Sequence, residues 1–113
     1  MKWLGDGVML YFPDPSEAVR SALELAERVP AAGLPEAHTG IDAGPVVFQD
    51  GDYFGRTVNT AARIASRADG GKVLVSDDVM RSTRDAGIRF SDEGLVELDG
   101  VERPIRLYRA EVG

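Results

Sequence analysis

The stretch "RTVNTAARIASRA", from Arg56 to Ala68, most constrains what this chain can fold into. Val58, Ala61, Ala62 and Ala65 recur at i, i+3, i+4 and i+7, the spacing of one helix face. Most of that stripe is alanine, whose single methyl lets a helix lie close against a sheet. Gly70-Gly71 closes the segment, as glycine commonly does where a helix stops. The rest of the chain should therefore supply a sheet.

It does so in alternation. "GVMLYFPD" reads as a buried strand over Val8 to Phe12, ended by Pro13. In "DPSEAVRSALELAERV", Asp14 is an N-cap, Pro15 the first helical residue and Glu17 the third. Val19, Ala22, Leu23, Ala26 and Val29 then fall at helical spacing. "TGIDAGPVVFQDGD" reads as a strand pair or one bent strand, with Gly40, Gly44 and Pro45 marking irregularity. "KVLVS" is a short buried strand, Ser76 caps a short third helix, and the last residues are strands around an Asp99-Gly100 turn. The order implies an α+β or α/β layer fold with helices packed on a sheet.

Composition narrows the function. A chain of 113 residues fits one domain. With a net charge of −6 it lacks the basic face a general nucleic-acid binder needs, although a few converging cations could still hold a small anion. It has no cysteine, which removes thiolate chemistry and fits a reducing cytoplasm. It has no apolar run long enough for a membrane segment, and "MKWLGDG" lacks the apolar core of a signal peptide.

Three constellations carry polar chemistry. Asn59 and Arg63 stack one turn apart on the helix, flanked by Arg56 and Arg67. Periodicity fits either a solvated face or a ligand site, and an Arg fork suits phosphate. In "KWLGDGVMLYF", Asp6 lies between two glycines; it is either a hairpin turn residue or a carboxylate placed for a hard cation such as Mg²⁺. "QDGDYFG" holds Asp50 and Asp52 around Gly51, readable as an acidic turn. His38, the single histidine, reads as a loop or surface residue. Arg103, Arg106 and Arg109 read as solvent-facing strand charge.

Taken in order, "KWLGDGVMLYF", "GIDAGPVV", "GDYFGRTVNTAARIAS" and "GKVLVSDDV" resemble the class III nucleotide cyclases, the adenylyl and guanylyl cyclase catalytic domain. The resemblance runs through nearly all of the chain. It implies an α+β, ferredoxin-like nucleotide-cyclase fold, a sheet with helices packed on it. It implies ATP as substrate, with Lys2 and Asp52 reading the purine, Asp6 holding metal, and Asn59 and Arg63 orienting the ribose and stabilising the transition state. It implies two Mg²⁺ or Mn²⁺ ions and a head-to-tail homodimer with sites at the interface.

The family's other metal carboxylate lies in an upstream F-x-D-I-x-G-F-T segment that this chain does not contain. The expectation is therefore a C-terminal part of a cyclase domain over residues 1–113, with the N-terminal βα part missing and the second carboxylate not in this chain. Its sheet should expose an unpaired edge or an uncovered apolar face. A phosphate-binding Lys that some members carry in the C-terminal turn has no counterpart in "LDGVERP", where Arg103 is a possible substitute. The alternative expectation is a catalytically inactive cyclase-fold module that binds nucleotide or dimerises to regulate a partner.

Overall fold

The computed structural model describes residues 2–4, 7–9, 14–33, 38–44, 47–49, 52–68 and 70–113, with backbone alone for 2–4, 7–9, 47–49 and 52–54. The described elements run β1 (Lys2–Leu4), β2 (Gly7–Met9), α1 (Pro15–Ala31), β3 (Thr39–Ile41), β4 (Val47–Gln49), β5 (Asp52–Phe54), α2 (Arg56–Arg67), β6 (Val73–Ser76), α3 (Asp77–Ser82), β7 (Ile88–Val96) and β8 (Ile105–Val112).

Four strands make the central sheet in the order β3-β6-β8-β7. β3 and β6 are parallel; β6 with β8, and β8 with β7, are antiparallel. β6 is buried along its whole length, which is why "VLVS" is a continuous run and not an alternating one. Its side chains divide between two cores. Val73 and Val75 join Val19 and Ala22 of α1 and Val79 of α3. Leu74 joins Ile64 and Ala68 of the α2 segment, with Leu107 and Leu98. The sheet thus carries α1 and α3 on one face and α2 on the other. Among the described strands, β3 pairs with β6 alone.

α1 begins as its sequence dictates. The Asp14 carboxylate accepts the Ser16 N–H at 2.9 Å, Pro15 is the first helical residue, and Glu17 adds acid to the first turn. At the start of α3, the Ser76 hydroxyl accepts the Val79 N–H at 3.4 Å. α3 ends at Ser82, earlier than "DDVMRSTRDAG" suggests. β1 and β2 form an antiparallel hairpin, with Trp3 opposite Val8. Strand structure thus starts earlier than Val8, and the Asp6 turn reading falls outside the described residues. Of the Val8–Phe12 strand, residues 10–12 lie outside the described residues. β4 and β5 form a second hairpin, Val47 to Phe54 in register, so "TGIDAGPVVFQDGD" is separate strands and not one bent one.

One glycine fixes where α2 lies. A Cβ built on Gly40 would stand 2.2 Å from the Ala65 amide nitrogen and 2.5 Å from the Ala61 carbonyl oxygen. Both are backbone atoms, so no side chain can turn away to make room. The small-residue face of α2 is therefore real, with one correction. Ala62 is exposed, and Thr60, Ile64 and Ala68 fill the buried arc that the sequence stripe gave to Val58 and Ala62. The alanines mark the side touching β3 backbone, while the larger Ile64 reaches past it into the core.

Gly40→Ala should therefore destabilise the fold by about 1–3 kcal/mol, the cost of forcing one methyl into a packed contact. Thermal unfolding followed by circular dichroism checks this, with Ala62→Ser as a near-neutral control.

Candidate nucleotide site on the second helix

The α2 face is set by the residue before it. Gly55 has φ +128° and ψ 177°, a conformation that side-chain-bearing residues rarely adopt. It turns the chain from β5 directly into α2, and the Asn59 N–H donates to the Gly55 carbonyl at 3.2 Å. The far end is held by His38, whose Nδ1 lies 2.5 Å from the Ala68 carbonyl oxygen, consistent with donation from the ring N–H. His38 is thus the loop residue the sequence suggests, but with a partner.

Burial separates the faces of α2. Thr60 and Ile64 point inward; Asn59, Arg63, Arg56 and Arg67 are exposed. Neither Asn59 nor Arg63 has a side-chain hydrogen bond or ion pair among the described residues. The amide and the guanidinium are therefore presented to solvent as a free pair, one turn apart.

The remaining sequence candidates are placed less fully. Lys2 lies in β1 opposite Met9, and Asp52 opens β5 opposite Gln49; these are backbone positions. Asp6 lies outside the described residues. Asp52 precedes Gly55 by three residues, so the hairpin end and the α2 start are adjoining parts of one chain turn. No group of three His, Asp or Glu among the described residues could hold a metal ion.

The structure adds a cleft that sequence reading missed. Its volume is about 660 Å³, and it opens between the start of α2, the ends of β3 and β6, and the connection from β7 to β8. Asp42 lies in its wall, bonded to the Ser76 hydroxyl and the Ala43 N–H. None of Lys2, Asp52, Asn59 or Arg63 lines it. The usable signal was topological: parallel neighbours β3 and β6 bring their carboxyl ends together, where open α/β sheets leave a crevice. The short segment "GIDAG" does not disclose that pairing.

Burial raises the Asp42 carboxyl above its usual 3.8; its bonds to Ser76 and Ala43 oppose the rise, and the Asp78 charge adds to it. A raised folded-state pKa means the folded chain prefers the protonated carboxyl. That stability is full below the unfolded value and is lost as pH rises through the folded one. Asp42→Asn, which keeps an acceptor for Ser76, should thus melt above the parent protein at pH 7, with the difference shrinking toward pH 3.5. Melting curves across that range check the sign.

Comparison with known proteins fits this geometry. Residues 36–110 match the family described as the adenylate and guanylate cyclase catalytic domain. The chain is 36% identical over its whole length to the pH-sensitive adenylate cyclase MT1302 of Mycobacterium tuberculosis, of which it spans 30%. It is 40% identical, over 76% of its length, to an adenylate cyclase of Streptomyces coelicolor, of which it spans 24%. Among solved structures, an adenylate/guanylate cyclase/hydrolase from Silicibacter pomeroyi superposes with a TM-score of 0.83 at 33% identity, covering 95% of this chain and 68% of that one. The guanylate cyclase domain of RhGC from Catenaria anguillulae, in complex with GTP, gives a TM-score of 0.69 at 26% identity over 94% of this chain and 64% of that one. With its β5–Gly55–α2 turn and its two-faced sheet, this chain belongs to the adenylate and guanylate cyclase catalytic-domain family.

Proposed function

We propose that this chain is part of an adenylate cyclase domain that converts ATP to cyclic AMP and pyrophosphate. The observation that carries the reading is the exposed, unpartnered Asn59/Arg63 pair on an α2 that Gly40 and His38 hold in place. An unpaired guanidinium on a rigid helix suits a charge that appears only during reaction. The similarity to proteins named adenylate cyclase supports the adenine choice.

In this reading the ribose 3′-oxygen attacks the α-phosphorus as its hydroxyl proton passes to solvent water. A new P–O bond closes the cyclic phosphate as the bond to the α,β-bridging oxygen breaks, and pyrophosphate leaves with that electron pair. Arg63 meets the negative charge that grows on the α-phosphoryl oxygens, so it acts on the transition state more than on ground-state binding. Asn59 orients the ribose. Lys2, as donor, and Asp52, as acceptor, read the purine edge.

Asp6 is the residue proposed to contribute one carboxylate to a divalent cation, Mg²⁺ or Mn²⁺. The pair stands open to solvent on a single chain, and phosphoryl chemistry benefits from a water-poor site. That supports a head-to-tail homodimer in which a second copy covers the α2 strip. No helix among the described residues is long and apolar enough to cross a membrane.

Arg63→Ala in the full-length protein should lower kcat by about 10²–10³, with a smaller change in KM, as expected for losing a transition-state donor. Cyclic AMP quantified from ATP with Mn²⁺ gives the answer. An unchanged kcat would overturn the reading and favour a nucleotide-binding module without turnover.

A further inference from the structure

Asp42 has a glycine two residues to either side, and both glycines meet α2. A Cβ on Gly40 would stand 2.2 Å from the Ala65 amide nitrogen and 2.5 Å from the Ala61 carbonyl oxygen. A Cβ on Gly44 would stand 2.7 Å from the Thr57 hydroxyl oxygen. Thr57, Ala61 and Ala65 fall at i, i+4 and i+8, one stripe of the helix. The 40–44 segment therefore runs along α2 from its last turn to its first, with Asp42 at the midpoint.

That midpoint is fastened to the neighbouring strand. β3 and β6 are parallel with Ile41 opposite Val75, so Asp42 and Ser76 follow side by side. The Asp42 carboxylate accepts hydrogen bonds from the Ser76 hydroxyl and the Ala43 N–H. The Ser76 oxygen in turn accepts the Val79 N–H at 3.4 Å, at the start of α3. Ser76 is 3% exposed, so water does not readily replace a lost partner there. One carboxylate thus joins the segment that carries α2 to the residue that caps α3.

The charges around Asp42 come from several elements. Asp77, Asp78 and Arg81 belong to α3, Arg56 to α2, Arg106 to β8 and Arg103 to the β7–β8 connection. Arg81 is engaged by Asp77 at 2.9 Å and Asp78 at 3.0 Å, and Arg106 by Asp92 at 2.8 Å. Burial and the Asp78 charge oppose ionisation of Asp42, while the Ser76 hydroxyl favours it. Asp42 is a group whose charged form makes the stronger bond to Ser76 in surroundings that resist the charge.

We propose that Asp42 is a positioning residue for the α2 strip: its ionised carboxylate, held by Ser76, fixes the 40–44 segment and, through Gly40 and Gly44, the helix that carries Asn59 and Arg63. Protonation weakens the Ser76 bond and loosens the first turn of α2. The consequence for turnover rests on the nucleotide reading of Asn59 and Arg63; the coupling of Asp42 to α2 does not.

The test is a nuclear magnetic resonance pH titration of the unliganded 113-residue chain, following the Asp42 carboxyl carbon and the α2 backbone amides. The Thr57 and Asn59 amides should shift with the same midpoint as Asp42, and Asp42→Asn should abolish that transition in both. Asp78→Asn keeps the Ser76 bond and removes a repelling charge, so it should move the common midpoint to lower pH. Ser76→Ala removes a donor to the charged form and should move it to higher pH. A residue that only fills space would give no such joint displacement. Still amides during the Asp42 titration, a transition that survives Asp42→Asn, or an Asp78→Asn shift confined to Asp42 would each overturn the proposal. Asp78 is exposed, so that variant decides the matter even if Asp42→Asn fails to fold. With no nucleotide present, failure here is distinct from an Arg63 result that removes the cyclase reading.

Discussion

The contact between Gly40 and the backbone of α2 is the constraint from which the rest follows. With no Cβ at Gly40, β3 meets the Ala61 carbonyl and the Ala65 amide directly. That approach sets the depth of α2 on the sheet, and depth determines which residues are buried. Ile64 and Ala68 then reach Leu74 of β6 and Leu107 of β8, and the opposite strip of the helix, with Asn59 and Arg63, is left outside. A fully buried Ile contributes about 1.5–3 kcal/mol, enough to make the rotation of α2 about its axis well defined. Function on this helix is thus a consequence of packing on its far side.

The two ends of α2 are fixed by different means. At the start, Gly55 takes a backbone conformation that lets the β4–β5 hairpin feed straight into the helix. At the end, His38 reaches the Ala68 carbonyl from the residue just before β3. β3 therefore holds α2 twice, through Gly40 and through the histidine that precedes it. A face intended to meet a transient charge needs such rigidity, because a displacement of about 1 Å can cost a large factor in rate.

Much of this was legible in the sequence, and the limits are physical. Asp14, Pro15 and Glu17 announced the start of α1 because capping is local chemistry. "VLVS" announced a buried strand because both of its faces pack. The exposed Asn59/Arg63 pair followed from a period of 3.6 residues. The rotation of α2 was off at Ala62, since alanine is too small to tell a tight backbone contact from an open surface. The β7–β8 arginines looked alike in sequence, yet Arg106 is bound to Asp92 across the ladder while Arg103 has no ion pair among the described residues. Only strand register makes that distinction. The cleft itself depends on β3 and β6 lying side by side, a long-range pairing that no short motif encodes.

The central claim is that nucleotide meets this chain on the exposed strip of α2. The most direct measurement is a nuclear magnetic resonance titration of the chain with millimolar ATP, following backbone amides and arginine side chains. The account predicts that Asn59 and the Arg63 guanidinium shift in concert, while Val19 and Ala22 on the opposite face of the sheet stay still. Shifts concentrated on α1, with Asn59 and Arg63 unmoved, would contradict it.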